Sequence, residues 1–220
     1  MKKNNLTMGQ IEKRFVAMEG KLECRAAQED SPRVIAGYAA VFNEFSKPIW
    51  GWFREQIAPG AFEDADMSNC VALYNHNTDD LLARVSSGTL KLTVDERGLF
   101  FEFEVPNTTV GNDMYELVKR GDISQCSFAF TVKEANWNYS TEENQLDERT
   151  IVKFGEIRDI SLVVNPAYEG TSVDARSAEQ DAHLQRKQEY LSKIDNEKIM
   201  AESESRARLC QMLALGSNAN

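Results

Sequence analysis

Histidine is scarce in this chain, with only His76 and His183 among 220 residues. Its four cysteines, Cys24, Cys70, Cys126 and Cys210, are far apart and form no Cys-x-x-Cys pair. A structural zinc site needs closely spaced thiolate and imidazole ligands, so both shortages argue against a metal, and no cofactor is expected. Dispersed cysteines read instead as free buried thiols. Positive charge is also short, with 25 Lys and Arg against 35 Asp and Glu and a formal charge of -10. A phosphate backbone is bound by a basic surface, so nucleic acid is not expected as a partner. No apolar run reaches the roughly 20 residues of a membrane-spanning helix, so no membrane partner is expected. The opening "MKKNNLTMGQIEKRF" has lysines but no apolar stretch behind them, unlike a secretory signal. The chain is therefore expected to stay in the cytoplasm where it is made.

The length suffices for one domain with a real core plus an appendage. Residues 1–20 are polar and weakly patterned and read as an N-terminal arm. From 21 to 176 strand patterns dominate. "RVIAGYAAVF" (33–42) is apolar and β-rich. Pro59-Gly60 is a turn signal leading towards one short helical turn. "CVALYNH" (70–76) reads as a strand running into a polar loop, "NTDD". Leu90, Leu92 and Val94 alternate, "DERG" turns, and Leu99, Phe101 and Phe103 alternate again, which is a hairpin. Val110, Met114, Leu117 and Val118 share a helical face, with Thr109 as the N-cap and Gly121 as the C-terminal glycine. "ANWNYSTEENQLDER" reads as a long polar connection, and "RTIVKFGEIRDISLVV" as two strands. From 177 to 220 helix formers with mixed charge and no proline predict a solvated helical tail. The fold class is therefore mainly β with peripheral helices, α+β.

The stretch "GDISQCSFAF" (121–130) raises the question of chemistry. Alternation puts Cys126, Phe128 and Phe130 on one face and Ser127 and Ala129 on the other, a small face carrying one hydroxyl. Serine becomes a nucleophile only when a neighbouring base takes its proton, and histidine is the usual base. His183 lies in the tail, so His76 would be that base by elimination; its plain alternative is a surface-loop histidine. Cys126 is the rival nucleophile, although alternation turns it towards the core. A third group would orient the histidine, and "EIRDISLVV" offers Glu156 and Asp159. Alternation there groups Ile157, Asp159 and Ser161 against Arg158, Ile160, Leu162 and Val164. The plain reading of either acid is a strand-edge carboxylate paired with Arg158 or Lys153.

Several long motifs carry a resemblance: "GYAAVFNEFS", "FREQIAPGAF", "VALYNHN", "SSGTLKLTVDERGLFFEFEVPNTTVGNDMYELVKRGDISQCSFAF" and "RDISLVVNPAYEGTSVDAR". In this order, from about residue 35 to 176, the chain resembles the tailed-phage prohead proteases. These capsid-maturation enzymes are related in fold to the herpesvirus assembly proteases. The resemblance implies a herpesvirus-protease-like β-barrel core and a serine endopeptidase. It implies His76 as the histidine and Ser127 as the nucleophile. Asp159 stands where the herpesvirus relatives carry a second histidine, with Glu156 as the alternative third member. It also implies backbone oxyanion donors near Ala167 and Tyr168. The implied substrate is the scaffolding segment of the major capsid protein, and the chain itself. The implied setting is the assembling prohead in the bacterial host cytoplasm, with the tail removed or docked on scaffold helices and self-association into a homo-oligomer as a further contact. Two other readings stand beside this one: a non-proteolytic scaffold or assembly β-barrel, and a cysteine hydrolase using Cys126.

Overall fold

The computed structural model describes residues 11–16, 22–25, 32–142, 145–164 and 173–216. Two compact units divide the chain, Met1–Ser140 with Asn144–Gly170, and Thr141–Glu143 with Thr171–Asn220. The first holds two sheets. One has the order β1 (Ile11–Val16), β9 (Gln125–Asn138), β10 (Asp147–Val163), β5 (Val71–Tyr74), β6 (Asn77–Arg84), with β4 (Phe53–Ile57) also on β10. The other has the order β2 (Glu23–Arg25), β3 (Val34–Val41), β8 (Gly98–Glu104), β7 (Leu90–Val94). Among the described residues neither sheet closes on itself, so the expected barrel is not what forms. A barrel needs an unbroken ladder around its circumference, whereas among the described residues the backbone ladder between the two sheets is reduced to one isolated bridge, Phe42–Ile57. The barrel is what the family resemblance implies, whereas alternation identifies strands but not which edges pair.

The core explains why these strands form. Phe128, Phe130 and Phe154 are almost fully buried, with ring centroids 4.7, 4.9 and 5.9 Å apart, and Phe62 stacks on Phe154 at 4.6 Å. Burying each such ring contributes about 1.5–3 kcal/mol. The same cluster takes in Ile35, Leu99, Phe101 and Phe103 of the second sheet, and Met114 and Val118 of helix α1 (Thr109–Arg120). The cap of α1 lies one residue earlier than expected: Thr108 Oγ1 accepts the Gly111 N–H at 3.1 Å. Gly121 ends the helix at φ +86°, a left-handed conformation that suits glycine.

Several expectations change. Ile11–Val16 of the supposed arm is a strand, paired antiparallel with β9. Its charged centre, Glu12-Lys13-Arg14, hid the strand, although such residues are common on sheet edges. Residues 58–65 form consecutive tight turns, such as Ala61 N–H to Ala58 O and Glu63 N–H to Gly60 O, without a helix. "NTDD" is not a loop but the start of β6. The polar connection shrinks, because β9 runs to Asn138 and β10 begins at Asp147. The two strands expected after it are one strand of 17 residues.

That long strand stays continuous because it is irregular. Its register against β9 shifts repeatedly between Ile151 and Asp159, which is how bulges absorb extra residues. Gly155 sits within these shifts, where a Cβ would lie 2.4 Å from Thr131 Oγ1. On the edge away from β9, β10 pairs in parallel first with β4 (147–151) and then with β5 (159–162). In the second unit, residues Val173–Gly216 form helix α2, and most of its described side chains are exposed.

Candidate active site

Three elements converge. β5 and β6 are joined by Asn75 and His76 alone, since Tyr74 pairs directly with Asn77. Both turn residues have positive φ, +50° for Asn75 and +58° for His76. A two-residue hairpin turn requires this, and its second position normally favours glycine. A histidine there is a strained choice, which places an imidazole at the tip of a rigid hairpin. The Asn75 N–H donates to Leu162 O at 3.0 Å and the His76 N–H to Ser161 Oγ at 3.2 Å, so the turn is tied to β10.

Ser127 lies in β9 directly opposite Ser161 of β10, and Ala129 lies opposite Asp159. Ser127 Oγ is 2.7 Å from His76 Nε2, and His76 Nδ1 is 2.6 Å from Asp159 Oδ1. An ionised carboxylate only accepts, so Nδ1 carries the proton and Nε2 is left to accept from the serine hydroxyl. The His76 and Asp159 side chains are 8 % and 12 % exposed. A buried carboxylate needs such partners to offset its desolvation. A second donor is Ser161 Oγ, which gives its proton to Asp159 Oδ1 at 2.7 Å and lies 3.2 Å from His76 Nδ1.

Strand alternation puts Ser161 on the face of Asp159, but nothing in the spacing marks it as a member of this group. Ile157, grouped there too, instead joins the core cluster with Ile160 and Leu162, because a register shift falls between Ile157 and Asp159. Glu156, the alternative third member, is placed elsewhere: its carboxylate accepts from Arg158 Nε at 2.9 Å, half-exposed. Lys153 pairs with Asp64. Ala167 and Tyr168 lie outside the described residues.

The small face of this part of β9 is covered as fully as the large one, with Ser127 0 % and Ala129 1 % exposed. The rival Cys126 is also buried, and its Sγ donates to Tyr38 O at 3.1 Å. Burial pushes its thiol pKa up to about 12. Cys70, next to β5, is likewise pushed up to about 12, by burial first and then by the charge of Asp159. A thiol in that state is not an activated nucleophile. Among the described residues no group of His, Cys, Asp and Glu could hold a metal ion, and no helix is long and apolar enough to cross a membrane.

A buried serine, an imidazole and a carboxylate in hydrogen-bonded series can move a proton off the hydroxyl and hold the resulting imidazolium. No curated protein sequence matches the chain. Among solved structures it is similar to the bacteriophage T4 capsid assembly protease gp21, with a TM-score of 0.46 and 8% identity, covering 70% of this chain and 97% of that one. The family model for the caudovirus prohead serine protease matches residues 20–186, most of the chain. The chain therefore belongs to the caudovirus prohead serine protease family, a family of capsid-maturation proteases.

Proposed function

We propose that the chain is a serine endopeptidase in which Ser127 is the nucleophile, His76 the general base and acid, and Asp159 the group that orients His76. The observation that carries this reading is the series Ser127 Oγ–His76 Nε2 at 2.7 Å and His76 Nδ1–Asp159 Oδ1 at 2.6 Å. Ser127 Oγ attacks the scissile carbonyl carbon while His76 Nε2 takes its proton. Asp159 accepts from Nδ1 throughout and stabilises the imidazolium without taking the proton. His76 then protonates the leaving amine, the C–N bond breaks, and an ester remains on Ser127. Water, deprotonated by His76, hydrolyses that ester and returns the hydroxyl. Backbone N–H groups near Ala167 and Tyr168 are assigned the oxyanion on the strength of the family resemblance.

The substrate in this reading is the scaffolding segment of the major capsid protein, with the chain itself as a second substrate. The site of action is the prohead assembling in the host cytoplasm. Residues 21–176 carry the protease. The helical segment 177–220, charged and exposed over its described part, docks on scaffold helices or is removed by self-cleavage.

Co-expression with the cognate major capsid protein, read by intact mass, tests this. The wild-type chain should shorten the capsid protein, and Ser127→Ala should leave it full length. Unchanged processing by Ser127→Ala would remove Ser127 as the nucleophile, and a capsid protein left full length by the wild type as well would favour a non-proteolytic assembly role. Deleting 177–220 should preserve cleavage of a peptide substrate and lower incorporation into proheads; normal incorporation would refute the docking role.

A further inference from the structure

The strand order β1-β9-β10-β5-β6 gives Ser127 two unlike flanks. His76 and Asp159 come from the β10 and β5 side. On the other side lies β1, antiparallel to β9 over Ile11–Val16, with Phe15 as the register partner of Ser127 and Val16 of Cys126. Paired strands run about 4.8 Å apart, so β1 backbone stands beside the nucleophile. In this arrangement Ser127 is 0 % exposed.

A protease of this kind must bring an extended peptide to within about 3–3.5 Å of the serine oxygen. The general way to hold such a peptide is to add it as a strand, through main-chain hydrogen bonds, to a free sheet edge. β9 has two edges. β10 pairs with one of them from Gln125 to Asn138. The other edge, beside Ser127, is occupied by β1 from Cys126 to Thr131. A substrate strand and β1 therefore compete for the same backbone groups.

From this we infer that β1 is an internal inhibitory strand. It occupies the peptide-binding edge of β9 as a mimic of an extended substrate, and the chain becomes active when β1 is displaced or cut away. The inference rests on Ser127 being the nucleophile, as proposed above. It assigns regulation to a segment that otherwise reads as an arm, and it identifies the ligand of the β9 edge as an extended antiparallel peptide.

The test uses the full chain and a fluorophosphonate probe, which needs no peptide-binding edge and phosphonylates an activated serine, the hydroxyl oxygen displacing fluoride at phosphorus. Arg14→Pro and Phe15→Pro are compared with the wild type. Successive N–H groups of a strand point to opposite sides, so one of these two prolines removes a donor to β9. At least one variant should label at Ser127 about tenfold or more faster than the wild type, as the competent fraction rises. A synthetic peptide of residues 9–18, added to that variant, should slow labelling again, whereas a scrambled peptide should not. The peptide arm also separates release from misfolding, because a misfolded chain would show no rescue. Equal labelling of Ser127 in wild type and both variants, with no effect of the peptide, would overturn the inhibitory strand and leave the hydrolase standing. Failure of Ser127 to label in any form would overturn the hydrolase reading and this inference with it.

Discussion

Ser161 makes hydrogen bonds to the backbone of one site residue and the carboxylate of another. It touches no substrate atom in the proposed mechanism, so it acts as a positioning residue for Asp159 and the His76 turn. Losing a hydrogen bond to a charged group costs about 1.5–3 kcal/mol. Ser161→Ala should therefore lower kcat by about 10- to 100-fold with KM nearly unchanged, measured on a peptide substrate. A change confined to KM, or to melting temperature alone, would make the role merely structural. Asp159→Asn should be more severe, lowering kcat by about 10,000-fold, because the amide disturbs the tautomer in which Nε2 accepts. The thiols give a contrasting test. With pKa values pushed up to about 12, Cys70 and Cys126 stay protonated at pH 8. In the native chain both should resist iodoacetamide at that pH, as read by peptide mass, and become reactive only in denaturant. Fast alkylation of Cys126 together with loss of cleavage would revive a cysteine mechanism.

Among the elements, β10 bears most of the design. It carries Asp159 and Ser161, pairs with the strand of Ser127, and holds the His76 turn through Leu162 O and Ser161 Oγ. Its bulged middle keeps the upper pairing with β4 and the lower pairing with β5 in register. Gly155→Ala should destabilise the fold by about 1–3 kcal/mol, because the new methyl meets Thr131 Oγ1. Thr131→Ala removes the obstructing oxygen, so the double variant should lose less than the sum of the two single losses in urea unfolding. Full additivity would show that the close approach is not what glycine serves here. This irregularity was hidden in the sequence. Alternation assumes a strict period of two, and a bulge breaks the period, which is how Ile157 was put on the wrong face and one strand was read as two. The hairpin β7–β8 and helix α1 were legible because they are regular and their turn and cap residues are local signals. The His76 turn was misread as a longer loop, since nothing local announces a histidine at a positive-φ turn position.

The whole molecule joins regions that are distant in the chain, and those junctions were the least legible. Ser127 and His76 are 51 positions apart, and His76 and Asp159 are 83. Spacing alone left the acid open between Asp159 and Glu156 and gave no hint that β1 pairs beside Ser127. The family resemblance implies the roles, and the sheet order supplies the reason the side chains meet. A second long-range junction lies away from the site. Glu55 of β4 and Arg149 of β10 are register partners and form a buried ion pair at 2.9 Å, with Arg149 1 % exposed. Truncating Glu55 takes a buried ion-pair partner from Arg149. Glu55→Ala should thus cost about 3–5 kcal/mol in urea unfolding; a loss below 1 kcal/mol would mean that water reaches the pair.

The central claim is that the His76 imidazole makes the Ser127 hydroxyl a nucleophile. Prolonged exposure of the full chain to a fluorophosphonate, with the adduct located by peptide mass mapping, tests it most directly. The account predicts a single adduct, on Ser127, that disappears in a folded His76→Ala variant. An adduct on another residue, or one on Ser127 that forms equally fast without His76, would contradict it.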